Sequence, residues 1–176
     1  MRMNELDKYI RTIYDFPKPG IGFKDITTLI KNPTGFKKSL DMMENKISGL
    51  KVDLILGIES RGFIFGGALA DRLGVGFDLI RKPGKLPGEV VSESYELEYG
   101  SDSIEIHKDS IEKDMNVLLI DDLLATGGTM SAAVNLVNKF ECNISAILFL
   151  IELTFLGGRE KLDNENVISL IQYSEE

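Results

Sequence analysis

The chain is predicted to be a single α/β domain, with helices on both faces of a parallel sheet and a β-hairpin overhanging one end. Three observations predict it. Short, almost wholly apolar runs at residues 52–58, 117–120 and 144–151 read as strands buried on both faces. These runs alternate with amphipathic helical stretches, the pattern of a sheet wound with crossover helices. The 176 residues contain no repeat and no Ser/Gly/Pro-rich linker, which suits one domain over residues 1–176.

The elements follow in order. Residues 4–13 are predicted to be helical, with Asn4 as cap and Leu6, Tyr9, Ile10 and Ile13 on one face. Pro17, Pro19 and Gly20 make residues 16–21 irregular. A second helix is predicted to start at Asn32-Pro33, a capping residue followed by a first-turn proline. Its apolar stripe is Phe36, Leu40, Met43, Ile47 and Leu50. After the strand at residues 52–58 comes a Gly-bounded turn, then a helix over residues 63–73 that Gly74 is placed to end. Residues 77–80 read as a short strand, and residues 81–93 as a polar loop rich in Gly, Pro and Lys. Alternation at residues 95–99 and 103–107, around Gly100-Ser-Asp, predicts a hairpin. The strand at 117–120 leads through a turn at 121–128 into a helix over 129–140, with Ala133, Val134, Val137 and Phe140 inward. Strands at 144–151 and 167–171 complete the sheet.

Composition narrows the function classes. Lys and Arg number 20 against 28 Asp and Glu, a net charge of −8, so a generic binder of nucleic acid or anionic membrane is disfavoured. Any phosphate must be held by a local site. The single cysteine, Cys142, excludes an intrachain disulfide and a multi-cysteine metal cluster, and it reads as a small, partly buried residue. The first residues carry no apolar signal core, and the apolar run at 146–151 is too short to span a bilayer. A cytoplasmic location is expected, so Asn143-Ile-Ser145 is read as a coincidental glycosylation triplet.

Ligands of parallel α/β sheets bind beyond the carboxyl ends of the strands. The polar turns at residues 59–62, 81–85 and 121–128 all leave such ends, so they are expected to converge on one rim. The strongest signal is Val117-Leu-Leu-Ile-Asp-Asp-Leu-Leu-Ala-Thr-Gly-Gly-Thr129. A buried strand delivers Asp121 and Asp122, and a small-residue turn then opens a helix. The backbone N–H groups of Gly127 and Gly128 can surround an anion that the helix dipole favours. Thr126 and Thr129 add hydroxyl donors. Such a cradle with carboxylates beside it suits a sugar phosphate. It is not a nucleotide P-loop, since no Gly-x4-Gly-Lys-[Ser/Thr] occurs. The same residues also allow an ordinary strand–helix connection with a capping threonine, or a receiver-type acid pocket for Mg²⁺.

This motif resembles the phosphoribosyl-diphosphate-binding signature of type I phosphoribosyltransferases. Further blocks resemble the family's adenine-specific members: Phe16-Pro-Lys-Pro-Gly-Ile-Gly-Phe-Lys-Asp-Ile26, Gly57-Ile-Glu-Ser-Arg-Gly-Phe63, Ile80-Arg-Lys-Pro-Gly-Lys-Leu-Pro87, Tyr95-Glu-Leu-Glu-Tyr-Gly100 and Glu105-Ile-His107. The resemblance runs from about Leu6 to Leu162. One departure is Thr28, where the family pattern leads one to expect proline.

The resemblance implies the type I phosphoribosyltransferase fold with a flexible hairpin or hood over the active site. Residues 1–35 would supply the N-terminal helix and base-binding hood segment, and residues 81–107 the flexible loop and hairpin. It implies a pentosyl transfer joining adenine N9 to C1′ of 5-phosphoribosyl 1-diphosphate, releasing AMP and diphosphate in purine salvage. Mg²⁺ would arrive with the diphosphate and be held mainly through substrate and water, with no dedicated protein metal site. It also implies a homodimer, with neither nucleic acid nor membrane as partner. The rival readings are the same scaffold acting on another purine base, and a non-catalytic regulator that binds phosphoribosyl diphosphate.

The residue roles come from the same source. Asp121 and Asp122 would hold the ribose hydroxyls, and Ala125, Thr126, Gly127, Gly128 and Thr129 the 5′-phosphate. Glu59, Ser60 and Arg61 would form a diphosphate turn with a cis peptide at Glu59–Ser60, a role suited to the donor fork of Arg61. Arg81, Lys82 and Lys85 would be a second cationic group on the diphosphate, with Tyr99 closing over the sugar. Glu98 would be the general acid/base, since attack through N9 needs proton loss there or protonation at N7. Without the resemblance, Glu98 is indistinguishable from Glu93, Glu96 and Glu105. Gly22, Phe23 and Lys24 would read adenine mainly through backbone groups, with Phe23 against the ring. His107 and residues 157–162 are read as structural.

Overall fold

A five-stranded, all-parallel sheet organises the chain, as the alternation of apolar strands and helices predicts. The structure, a computed structural model, describes residues 4–96 and 100–175. In chain order the strands are β1 (Arg11–Ile13), β2 (Phe23–Asp25), β3 (Leu54–Ile58), β4 (Gly76–Ile80), β5 (Val90–Glu96), β6 (Ser101–His107), β7 (Asn116–Leu124), β8 (Asn143–Leu153) and β9 (Val167–Tyr173). The α-helices are α1 (Thr27–Lys31), α2 (Pro33–Ile47), α3 (Gly62–Leu73) and α4 (Gly128–Val137). The main sheet runs β4-β3-β7-β8-β9, while β1–β2 and β5–β6 form separate antiparallel pairs.

Two apolar layers cover the sheet because strand side chains alternate between its faces. On β3, Leu54, Leu56 and Ile58 pack with α4 and with Ile104 and Ile106 of β6. Ile55 points the other way, among Leu40, Met43 and Ile47 of α2 and Phe65 and Leu69 of α3. Each such fully buried aliphatic side chain stabilises the fold by about 1.5–3 kcal/mol. The stripe expected on the second helix is therefore real as far as Ile47, whereas Leu50 lies past the helix end and packs against the same cluster. That helix starts as predicted: the Asn32 side chain accepts from the Gly35 N–H at 2.9 Å, and Pro33 is the first helical residue. Gly74 ends α3 in the left-handed conformation, with φ 67°.

Four expectations need correction. Residues 4–13 are not one helix: a 3-10 turn at Asp7–Tyr9 is followed by β1. Asn4 does act locally, accepting from the Leu6 N–H at 3.0 Å. A ten-residue helix is marginal by itself, and pairing of β1 with β2, reinforced by the Arg11–Asp25 ion pair, gives this segment a better ladder. Helix α1 has no counterpart in the expectation. Its Thr28, the departure from the family pattern, donates through Oγ1 to the Tyr9 carbonyl at 2.7 Å and so ties α1 to the approach of β1.

The hairpin strand β5 begins at Val90 rather than residue 95, and β6 begins at Ser101. The polar character of Ser92 and Ser94 hides this strand, because both are exposed on the outer side of the pair. The sheet strand β7 does not end at Ile120. It continues through Asp121 and Asp122 to Leu124, with Asp121 opposite Phe149 and Leu124 opposite Glu152. The acids are thus carried on a strand, which holds them more rigidly than a turn. Helix α4 ends at Val137, short of the expected Phe140.

The N-terminal segment is closed by the end of the sheet. Asn4 Nδ2 donates to the Leu170 carbonyl at 2.7 Å, and the Tyr173 hydroxyl donates to Asp7 Oδ1 at 3.0 Å. Among the described residues, no helix is long and apolar enough to cross a membrane.

Candidate active site

The three turns expected on one rim do meet there. Asp121 and Asp122 come up on β7, and the chain then bends through residues 125–127 into α4. Gly127 takes φ 76°, a conformation unfavourable for a residue with a Cβ. A small cavity of about 100 Å³ lies between Asp121 and residues 125–129. The first N–H groups of α4 have no partners within the helix, so they suit an anion there. The back of this loop is closed: a Cβ on Gly127 would lie 2.3 Å from the Gly158 carbonyl oxygen.

Behind β3, the Glu59–Ser60 peptide is cis, as the resemblance implies. The turn then packs directly on β7. A Cβ on Gly62 would come within 2.7 Å of the Ile120 carbonyl oxygen, so only glycine allows this approach. The result is that Arg61 Nε donates to Asp122 Oδ2 at 2.5 Å. The Asp122 side chain is buried while that of Arg61 is 43% exposed, which leaves part of its donor fork open to a ligand. Burial, reinforced by the adjacent Asp122 charge, pushes the Asp121 carboxyl well above the ordinary carboxylate range.

The second cationic group is organised by carboxylates. Glu59 accepts from the Lys82 N–H at 3.0 Å and from Arg81 Nε at 3.2 Å, and these partners hold its carboxyl below the ordinary range. The Lys82 ammonium pairs with Asp102 and donates to the Tyr95 hydroxyl at 2.9 Å. That hydroxyl is in turn 3.2 Å from Thr129 Oγ1. Lys82 therefore connects to the start of α4 through Tyr95. Lys85 is exposed, and its carbonyl accepts from Arg81 Nη1 at 3.0 Å.

The N-terminal ribbon reaches the same rim. The Arg61 guanidinium lies 5.9 Å from the centre of the Phe23 ring, which in turn meets Phe16 edge-on at 5.3 Å. Gly22 immediately precedes this strand. The Lys24 side chain is engaged elsewhere, donating to Thr12 Oγ1 at 3.2 Å and sitting 4.4 Å over the Tyr173 ring. Any part it takes at the rim falls to its backbone.

The structure thus brings together Phe23, Glu59, Arg61, Arg81, Lys82, Asp121, Asp122 and residues 125–129. Glu98 and Tyr99 lie outside the described residues. His107 is at the hairpin base, its Nε2 within 2.8 Å of the Pro87 carbonyl, and touches none of these groups. Sequence reasoning missed Tyr95 and Asp102, for which alternation gives no signal beyond strand character. Residues 157–162 have the structural part expected of them, since Gly158 directly backs the loop beside the cavity.

Known proteins resemble this chain over nearly its whole length. The phosphoribosyl transferase domain family matches residues 25–171. An adenine phosphoribosyltransferase of Desulfitobacterium hafniense is 51% identical over 98% of this chain and 100% of its own length. The crystal structure of an adenine phosphoribosyltransferase from Thermoanaerobacter pseudethanolicus superposes with a TM-score of 0.93 at 53% identity, covering 96% of this chain and 98% of that one. The Saccharomyces cerevisiae enzyme of the same name, crystallised with an imino-altritol bisphosphate and adenine, gives a TM-score of 0.89 at 45% identity, over 94% of this chain and 96% of that one.

Proposed function

The chain belongs to the phosphoribosyl transferase domain family, among its adenine phosphoribosyltransferases, and from that premise we propose how its residues share out the reaction. The enzyme transfers the 5-phosphoribosyl group from 5-phosphoribosyl 1-diphosphate to adenine, giving AMP and diphosphate in purine salvage. The observation that carries the division of roles is the contact of Arg61 with Asp122 beside the cavity at residues 125–129. It puts a cation, two carboxylates and an anion cradle on one rim.

The 5′-phosphate enters the cradle of Ala125, Thr126, Gly127, Gly128 and Thr129, and Asp121 and Asp122 accept from the ribose hydroxyls. As the bond from C1′ to diphosphate lengthens, positive charge grows on the ring and negative charge on the leaving group. Arg61 meets that negative charge with its exposed donors, while Asp122 holds its Nε edge in place. The turn of Glu59 and Ser60 shapes the approach. Glu59 aims Arg81 and the Lys82 backbone, and Lys85 adds a third, mobile cation. Phe23 lies against adenine, with Gly22 and Lys24 reading its edge through the backbone. Glu98 holds or moves the purine proton, and Tyr99 helps exclude water from the sugar. Residues 1–35 form the base-binding part of one domain.

Asp121 and Asp122 offer hard oxygen ligands beside the cavity at residues 125–129. Such a partial donor set fits Mg²⁺ carried in on diphosphate, since this ion keeps several waters. When bound, Mg²⁺ neutralises charge on the diphosphate. We further propose a homodimer and a cytoplasmic setting, where this phosphorylated substrate would be met.

The test is AMP formation with each purine base, with and without chelation of Mg²⁺, alongside sedimentation of the active sample. AMP from adenine, lost on chelation, in a sedimenting dimer is the expected result. Turnover of another base, binding of phosphoribosyl diphosphate without turnover, or an active monomer would each overturn the corresponding part.

The cradle makes its own prediction. Asp122→Asn and Thr126→Ala are expected to raise the KM for phosphoribosyl diphosphate by roughly tenfold or more, the scale of one hydrogen bond to a charged group at ~1.5–3 kcal/mol. The KM for adenine should stay within about twofold. Steady-state kinetics with each substrate varied in turn checks this, and equal effects on both substrates would count against it.

A further inference from the structure

The side of the phosphate loop facing away from the cavity rests on the segment after β8. Gly158 opens a 3-10 helix, Gly158–Leu162. A Cβ on Gly158 would lie 2.1 Å from the Ala125 carbonyl oxygen, and one on Gly127 would lie 2.3 Å from that of Gly158. Two backbones are therefore in direct contact, and the position of one dictates the position of the other.

The next residue holds Gly158 there. Arg159 Nε donates to Glu152 Oε1 at 2.9 Å, its Nη2 donates to the other carboxylate oxygen, and its Nη1 donates to the Val167 carbonyl at 2.8 Å. Ser169 and Gln172 of β9 also donate to Glu152 Oε2, the latter at 3.1 Å. Glu152 is only 3% exposed and sits at the carboxyl end of β8, opposite Leu124, the last residue of β7 before the loop. A buried carboxylate is strongly unfavourable unless paired in this way. The two-pronged contact fixes angle as well as distance, which a lysine in place of Arg159 could not do. Nothing in the reaction uses this pair directly.

We propose that Glu152 and Arg159 are positioning residues for the 5′-phosphate site, their ion pair anchoring the Gly158 backbone beneath residues 125–127 and so setting the height of the loop's N–H groups. The proposal rests on the reading of residues 125–129 as the phosphate cradle.

The test measures calorimetric binding of ribose 5-phosphate and of magnesium diphosphate to wild type, Glu152→Gln and Arg159→Lys, together with the KM of each substrate. Both variants are expected to bind ribose 5-phosphate roughly tenfold more weakly, the scale of losing one hydrogen bond to a charged group. The KM for phosphoribosyl diphosphate should rise in step, while diphosphate binding and the KM for adenine stay near wild type. Arg159→Lys keeps the charge on a half-exposed side chain, so it decides between the outcomes even where Glu152→Gln does not fold. Ribose 5-phosphate bound as tightly as by wild type, or a loss shared equally by diphosphate, would overturn the proposal. Wild-type protein that binds no ribose 5-phosphate would overturn the cradle reading itself, and the proposal with it.

Discussion

Glu98→Gln is expected to lower kcat by roughly 10²–10⁴, the usual worth of a positioned acid or base. Glutamine keeps the size and much of the hydrogen bonding of glutamate but cannot exchange a proton with the purine. The loss should therefore appear in kcat, with the KM of both substrates little changed, and the limb of the pH–rate profile due to the carboxylate should vanish. Glu96 provides the control. It is exposed on β5, opposite Ser101, whereas Tyr95 turns its hydroxyl toward Thr129 on the other face of the hairpin. Glu96→Gln should leave kcat within about twofold of wild type. The reverse outcome, a damaging Glu96→Gln beside a normal Glu98→Gln, would mean that the family's acid has been placed one strand pair out of register.

Gly127→Ala is expected to act on stability and on substrate together. Alanine in the left-handed region costs about 1–2 kcal/mol. Its Cβ would also overlap the Gly158 carbonyl oxygen, a backbone atom that cannot rotate aside, and relieving such overpacking costs about 1–3 kcal/mol. Taking ~2–4 °C per kcal/mol for a chain of this size, the melting temperature should fall by roughly 5–20 °C. The fraction that stays folded must displace the loop, so kcat/KM for phosphoribosyl diphosphate should drop by about 10². Thermal melts and steady-state kinetics check both halves. A wild-type melting temperature with a wild-type KM would falsify the interlock between the two backbones.

Which parts could be read from sequence follows from the range of the forces involved. The strand Leu54–Ile58 is apolar because both its faces are covered, and a run of five such residues is visible without knowing what covers them. The start of α2 is written in adjacent residues, a capping side chain and a proline, so it is equally plain. The proposed phosphate cradle is legible for the same reason: acids, glycines and threonines stand within nine positions, 121–129.

What escaped reading depends on residues far apart. The ribbon β1–β2 exists because residues 11–13 find residues 23–25, and the apolar spacing of 4–13 alone favours a helix. The extension of β7 past Ile120 is set by β8 alongside it, not by the two acids it carries. Arg61 and Asp122 are separated by 61 positions, so their contact leaves no local pattern. The fit of Gly127 against Gly158 is a matter of two missing side chains, which no periodicity records. Glu98 has no distinguishing feature among its neighbours except the family blocks around it.

The bonds from Asn4 to Leu170 and from Asp7 to Tyr173 each span 166 positions, close to the whole chain. Contacts of such separation carry a larger loop-closure entropy than local ones. The segment bearing Phe23 is synthesised long before β9; Leu6, Ile26 and Leu29 around it pack with α2 and α3, but the ties of Asn4 and Asp7 wait for that last strand. These two ties can close only once β9 lies beside β8 in the sheet. Amide exchange of β1 and β2, compared with that of β3, would distinguish local opening of this ribbon from opening with the whole fold. In the proposed binding mode adenine, by bridging this ribbon to the rest of the rim, would add a third clasp between the first and last segments of the chain.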